Sequence, residues 1–162
     1  MILLLKNLLF TLLVPGFVVG WMPLYWLESQ LAWPDELGPY HLIGLALGLL
    51  GFAAYLHCLG HFMVRGQGTP APIDPPKKLM RRGLFAWVRN PFYLSVLAMV
   101  AAEGIFLLSW HIAIYWVVLA SVFQLFVVLY EEQEMSLRYG AMYDDYKQAV
   151  PRWFPRRPPN TD

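Results

Sequence analysis

The stretch that decides the fold is residues 91–130, PFYLSVLAMVAAEGIFLLSWHIAIYWVVLASVFQLFVVLY, whose only charged residue is Glu103. A helix needs about 20 apolar residues to cross a hydrocarbon core of ~30 Å. This stretch holds two such lengths, 91–109 and 111–130, and only a turn's worth of residues lies between them. The sequence therefore predicts two membrane-spanning helices that form a tight antiparallel hairpin.

Two further apolar stretches precede the hairpin, at about 2–27, with Pro15 as a possible kink, and at about 40–64. The 162-residue chain is 58% hydrophobic and only 14% charged, which is more apolar surface than one soluble core of this size buries. We predict an all-α membrane protein, a single integral domain over 1–162 with about four transmembrane helices. A loop (65–90) and a tail (131–162) that begins as a helix complete it.

The basic residues set the expected orientation. All twelve Lys and Arg residues fall in the N-terminal segment, the 65–90 loop or the tail, whereas the connection 28–39 is acidic. Basic segments stay on the cytoplasmic side of a membrane. We therefore expect both termini, the loop and the tail in the cytoplasm. The net charge of +1 gives no reason to expect a nucleic-acid partner, and the single Cys58 excludes a disulfide or zinc framework.

The arms of the predicted hairpin are of nearly equal length. Asn90 lies 20 residues before Trp110 and Glu131 lies 21 after it, so both stand about 30 Å from the turn. Two polar clusters should therefore face each other: Arg89, Asn90, Pro91 and Tyr93 on one arm, and Glu131 and Glu132 on the other. The alternative is that the two carboxylates simply meet water where a helix leaves the membrane.

Two other polar features lie within the predicted spans. Glu103 is costly there unless it faces the helix bundle, where it would either line a substrate chamber or hydrogen-bond between helices. His57 and His61 have the i,i+4 spacing of a metal-binding pair. No third ligand is recognisable, so we predict no metal site.

The order of motifs resembles the isoprenylcysteine carboxyl methyltransferase family, in particular its short bacterial members. The resemblance covers about residues 65–157, and the related phospholipid methyltransferases are the nearest alternative. The residues that show the resemblance are Gly66-Gln67-Gly68-Thr69-Pro70-Ala71-Pro72, Leu79, Gly83, Arg89-Asn90-Pro91-Phe92-Tyr93, Glu131-Glu132, Tyr139-Gly140, Tyr143, Tyr146 and Val150-Pro151-Arg152.

The resemblance implies a methyltransferase that uses S-adenosylmethionine in a cytoplasm-facing pocket, in a bacterial inner membrane. The acceptor would be a lipophilic or small molecule with a carboxylate, thiol or amine, and membrane lipids would surround the site. Carried over by motif, the cofactor-binding residues would be Leu79, Met80, Gly83, Phe85, Asn90, Pro91, Tyr93, Glu131 and Glu132, and the catalytic residues Arg89, Asn90 and Tyr93.

The chain departs from the family pattern at three places. Asn90 stands where the family usually has His, and Phe85 stands where it has Tyr. The segment 125–130 lacks the Arg that the eukaryotic members place before the paired Glu, so prenylcysteine is not supported as the acceptor. Three alternatives remain: a non-enzymatic protein that binds lipid or a partner, a phospholipid N-methyltransferase, and a sterol-type reductase that binds nicotinamide.

Overall fold

The computed structural model describes residues 2–27, 36–66 and 78–157, which contain helices and no strand. The predicted all-α architecture is confirmed. The acidic connection, the first part of the 65–90 loop and the end of the tail lie mostly outside the described residues. The α-helices are α1 (Ile2–Leu13), α2 (Met22–Leu27), α3 (Pro39–His61), α4 (Pro91–Phe106), α5 (Trp110–Phe126), α6 (Glu132–Tyr139) and α7 (Ala141–Ala149).

The first apolar stretch is helical along nearly its whole length. A π-helical turn, Gly16–Trp21, joins α1 to α2. It follows Pro15, whose backbone is itself helical (φ −64°, ψ −37°). Because proline has no N–H to donate, the regular hydrogen-bond pattern is interrupted there. The predicted irregularity at Pro15 therefore takes the form of a wider turn.

Helices α3 and α4 pack closely along their length, and two glycines of α3 make this possible. A Cβ atom on Gly44 would lie 2.9 Å from the carbonyl oxygen of Ala102, and one on Gly51 would lie 3.0 Å from that of Ser95. Small residues let helix backbones approach each other in this way. The main core lies beside this contact and includes Tyr55 and Val100.

The predicted tight hairpin is confirmed. Helix α4 ends at Phe106 rather than near 109, because Leu108 adopts a left-handed conformation (φ 46°). Ser109 then accepts a hydrogen bond from the backbone N–H of Ile112 (3.4 Å) and so caps α5. Across the hairpin, the indole of Trp116 donates to the carbonyl of Leu97 (2.8 Å).

Helix α5 continues through a π-helical turn, Val127–Glu131, into α6. Among the described residues, two helices are long and apolar enough to cross a membrane, Pro39–Val64 and Trp110–Tyr139, and two shorter apolar helices are Leu5–Trp21 and Pro91–Phe106. The count of four spans stays a prediction. Large apolar side chains are exposed on α3 and α5, for example Leu49 and Val122, as expected for surfaces that face lipid.

Candidate active site

The hairpin brings the two predicted polar clusters into contact. The hydroxyl of Tyr93 donates to Glu131 Oε2 at 2.6 Å, and Arg89 Nη1 lies 2.8 Å from Glu132 Oε1. Tyr93 opens α4 and Glu131 ends the continuation of α5, so the antiparallel arrangement alone places them at one level. The site lies at the end of the hairpin opposite the turn.

Glu132 is held by two arginines. Arg152 donates from Nε to Oε1 (2.7 Å) and from Nη2 to Oε2 (2.8 Å), while Arg89 donates to Oε1 from the other side. The side chains of Arg89 and Glu132 are only 10% and 15% exposed. The hydrogen bond to Glu132 raises the pKa of Arg152, which keeps this guanidinium charged. Both carboxylate oxygens of Glu132 therefore already accept hydrogen bonds from the protein's own arginines.

A segment near the end of the chain is hydrogen-bonded to residues of this cluster. The segment Val150–Arg157, which we call the C-terminal strap, accepts a hydrogen bond from Arg89 N at Pro151 O (2.9 Å) and from Asn90 Nδ2 at Arg152 O (3.2 Å). Farther along, the indole of Trp153 donates to Gln124 Oε1 at 2.6 Å. The strap thus ties the start of α4 to the tail.

Helix α7 packs against the 78–90 segment. Tyr143 and Tyr146 are buried with Val150, and the hydroxyl of Tyr146 donates to the carbonyl of Phe85 at 2.6 Å. Burial raises the pKa of Tyr146, so its phenol stays protonated and able to donate. These contacts hold α7 against the 78–90 segment.

Two cavities adjoin the cluster. The larger, which we call the apolar cavity, has about 650 Å³ of empty space including its open mouth. The second, the tail-side cavity, has about 440 Å³ measured in the same way. The apolar cavity lies between α1, α3, α4 and α5, and the tail-side cavity lies under α6 and α7.

Five side chains line both cavities, and we call them the junction. They are Phe62, Phe85, Arg89, Asn90 and Glu131. A ligand in one cavity and a ligand in the other would contact the same five side chains. The junction therefore combines two aromatic rings, an amide, a guanidinium and a carboxylate within one wall.

The structure brings most of the predicted site residues to these cavities. Leu79 and Met80 line the tail-side cavity, Pro91 and Tyr93 line the apolar cavity, and Phe85, Arg89, Asn90 and Glu131 line both. Glu132 lines neither of the two, because the arginines engage it. Whether any of these residues binds cofactor stays a prediction.

Gly83 also lies away from both cavities. Its φ of +65° favours glycine, and a Cβ there would lie 2.7 Å from His57 Nε2 and 2.9 Å from His61 Cε1. The two imidazole rings are 4.5 Å apart between centroids and tilted by 38°. The described residues contain no cluster of three or more side chains able to hold a metal ion. Gly83 thus makes room for the histidine pair.

The sequence did not predict several residues that line the apolar cavity. Phe10 of α1 and Val14, which directly follows α1, line the apolar cavity, and so does Phe62, which directly follows α3. No local pattern marks such residues, because their role depends on how distant helices pack. Arg152 could have been predicted, since it belongs to the Val150-Pro151-Arg152 motif of the family resemblance.

A model of the phospholipid methyltransferase family matches residues 40–142. The chain belongs to the phospholipid methyltransferase family. The matched part of this membrane methyltransferase includes all five junction residues. Helix α1 and the C-terminal strap lie outside it. Searches of curated proteins and of solved structures returned no match.

Proposed function

We propose that this family member transfers a methyl group from S-adenosylmethionine in the tail-side cavity to a lipophilic acceptor in the apolar cavity. The observation that carries the proposal is the junction. Two adjoining cavities, one rich in tyrosine and one largely apolar, share a wall that contains a half-buried carboxylate and a guanidinium. A group-transfer enzyme needs two ligand sites that meet in this way.

The residues of the tail-side cavity fit the cofactor. Its amine and ribose hydroxyls need an acceptor, and Glu131 supplies a carboxylate. Its carboxylate needs a donor, and Arg89 Nε is buried with no hydrogen-bond partner in the part of the chain that the structure describes. A buried unpaired donor is costly, so a ligand oxygen there would relieve that cost. When bound, the cofactor supplies a methyl group on a positively charged sulfur.

The chain's own groups would position the reactants and exclude water. Tyr93 fixes the carboxylate of Glu131, and Glu132 with Arg152 fixes the guanidinium of Arg89. The C-terminal strap covers this arrangement from the tail side. Alignment and water exclusion can supply much of the rate of a displacement whose leaving group is already good.

The apolar cavity would accept a hydrocarbon chain. Aromatic side chains such as Phe10, Phe92 and Phe123 line it. We propose a lipid-like acceptor that enters from the bilayer. The segment 125–130 has no Arg before the paired Glu, which favours an acceptor other than a prenylated cysteine, such as a phospholipid. The basic residues near the junction, such as Arg81 and Arg156, support a cytoplasmic active side in a bacterial inner membrane.

Methyl transfer can be tested directly. The protein in lipid nanodiscs would be incubated with S-adenosylmethionine labelled in its methyl group and with a bacterial lipid extract. We expect label in the lipid fraction from the parent protein and at least a tenfold lower rate from Glu131→Gln, with Asp144→Asn as an exposed control.

The form of the product decides between acceptor classes. Label released by mild base would indicate a methyl ester, and base-stable label would indicate an amine or thiol acceptor. If the folded parent transfers no label to any lipid, the non-enzymatic alternative is favoured. Binding of nicotinamide instead of the methyl donor would favour the reductase.

A further inference from the structure

Two aromatic rings of the junction stand side by side. The rings of Phe62 and Phe85 are 5.7 Å apart between centroids and inclined by 50°. Phe92 braces both, at 5.1 Å from Phe62 and 6.4 Å from Phe85. Both Phe62 and Phe85 are buried and line each of the two cavities. A group bound at the junction would therefore lie against two rings in a desolvated setting.

The two carboxylates near these rings, Glu131 and Glu132, have different partners. Arg89 directs Nη1 to Glu132, and Glu132 also engages Arg152. Glu131, by contrast, accepts a hydrogen bond from the neutral Tyr93, and no arginine pairs with it among the described residues. Glu131 is thus the carboxylate left at the junction to meet a ligand's positive charge.

We infer that Phe62, Phe85 and Glu131 form a subsite for the positively charged sulfur of the methyl donor. The inference rests on the proposed function, since the methyl group has to reach the wall that both cavities share. A cation is attracted to an aromatic ring within about 6 Å of its centroid. Because the two centroids are themselves 5.7 Å apart, one cation can satisfy that condition for both rings.

The subsite would distinguish the cofactor from its product. After transfer the sulfur is a neutral thioether, because the electrons of the broken S–CH₃ bond stay on sulfur. The rings and the carboxylate then lose the charge that they stabilise. The demethylated product, S-adenosylhomocysteine, should therefore bind more weakly than the methyl donor, which would favour its release.

The ratio of two dissociation constants measures this selectivity. The nanodisc protein would be titrated with S-adenosylmethionine and with S-adenosylhomocysteine by calorimetry. We expect the methyl donor to bind more tightly to the parent. Phe62→Leu and Phe85→Leu should each reduce the ratio by roughly three- to thirtyfold, with little change in the affinity for S-adenosylhomocysteine. Phe126→Leu is the control, since Phe126 packs on Tyr130 and lines neither cavity.

A third ligand tests the inference without any variant. Sinefungin carries an ammonium group where the methyl donor carries its charged sulfur, so we expect it to bind the parent more tightly than S-adenosylhomocysteine. Equal binding of charged and neutral ligands by the parent, or an equal change in Phe126→Leu, would overturn the subsite and leave the proposed function standing. A parent protein that binds none of the three ligands would instead overturn the proposed function.

Discussion

Glu131 and Glu132 are neighbours in the chain, yet their carboxylates meet different partners. Successive residues of a helix point about 100° apart, so one carboxylate reaches the cavities while the other reaches Arg89 and Arg152. Glu131 accepts a hydrogen bond from Tyr93 at the junction, whereas Glu132 holds the strap to the start of α4. We therefore assign ligand binding to the first and structural support to the second.

Glu132→Gln should destabilise the protein. Removing one partner of a buried ion pair leaves the other charges uncompensated, which costs roughly 3–5 kcal/mol when the pair is fully buried. Since Arg152 is 31% exposed, we expect about 1–3 kcal/mol here. Thermal unfolding followed by tryptophan fluorescence checks this. Asp144→Asn removes the exposed pair with Lys147 and should cost at most about 1 kcal/mol; an equal loss in both variants contradicts the assignment.

Gly83→Ala should destabilise the protein more than Gly140→Ala. Both glycines have positive φ, +65° and +53°, a backbone conformation that strains an alanine. Only at Gly83 does the added Cβ also meet His57 and His61, whereas nothing lies within 4 Å of one at Gly140. Comparison of the two unfolding free energies tests whether that contact adds to the backbone strain. No difference would mean that the histidine pair moves aside freely.

At the scale of elements, the contact between α3 and α4 determines the geometry of the candidate site. It fixes Phe62, at the end of α3, against Phe85 and Phe92, which precede and open α4. Helix α1 is tied to this pair by the hydrogen bond between Thr11 Oγ1 and Tyr55 Oη (2.8 Å). The positions of the junction side chains thus depend on how closely the helices approach.

Alanine substitutions at two glycines of α3 should change the stability of the protein in opposite directions. Gly→Ala within a helix normally stabilises by about 0.5–1 kcal/mol, and Gly60→Ala should do so because nothing lies within 4 Å of its Cβ. Gly44→Ala should destabilise, because its Cβ would lie 2.9 Å from backbone atoms of Ala102 and Phe106. Unfolding of both variants in the same detergent tests this. A gain in stability for Gly44→Ala would show that the contact is looser than described.

At the scale of the whole molecule, the sequence predicted what one contiguous stretch determines. Residues 91–130 contain both arms of the hairpin, so their equal lengths were enough to bring Tyr93 opposite Glu131. Contacts between distant segments could not be predicted in this way. The placement of α1 beside the apolar cavity and the pairing of Arg152 with Glu132 depend on packing that leaves no local pattern.

The predicted orientation can be tested with single cysteines. Cys58 is buried, so it should not react with a maleimide that cannot cross membranes. In intact cells we expect labelling of Leu108→Cys, at the exposed hairpin turn, and none of Lys78→Cys, an exposed position directly before Leu79 of the tail-side cavity. Opening the cells should make Lys78→Cys reactive. Labelling of Lys78→Cys alone in intact cells would place the active side outside.

Calorimetric titration of the purified protein with S-adenosylmethionine tests the central claim most directly. The parent and Glu132→Gln should both bind the cofactor, whereas Glu131→Gln should bind it at least tenfold more weakly, the equivalent of about 1.4 kcal/mol. Unfolding curves of the same samples establish that each variant is folded. A folded parent that gives no binding would contradict the account, as would a Glu131→Gln variant that binds as tightly as the parent.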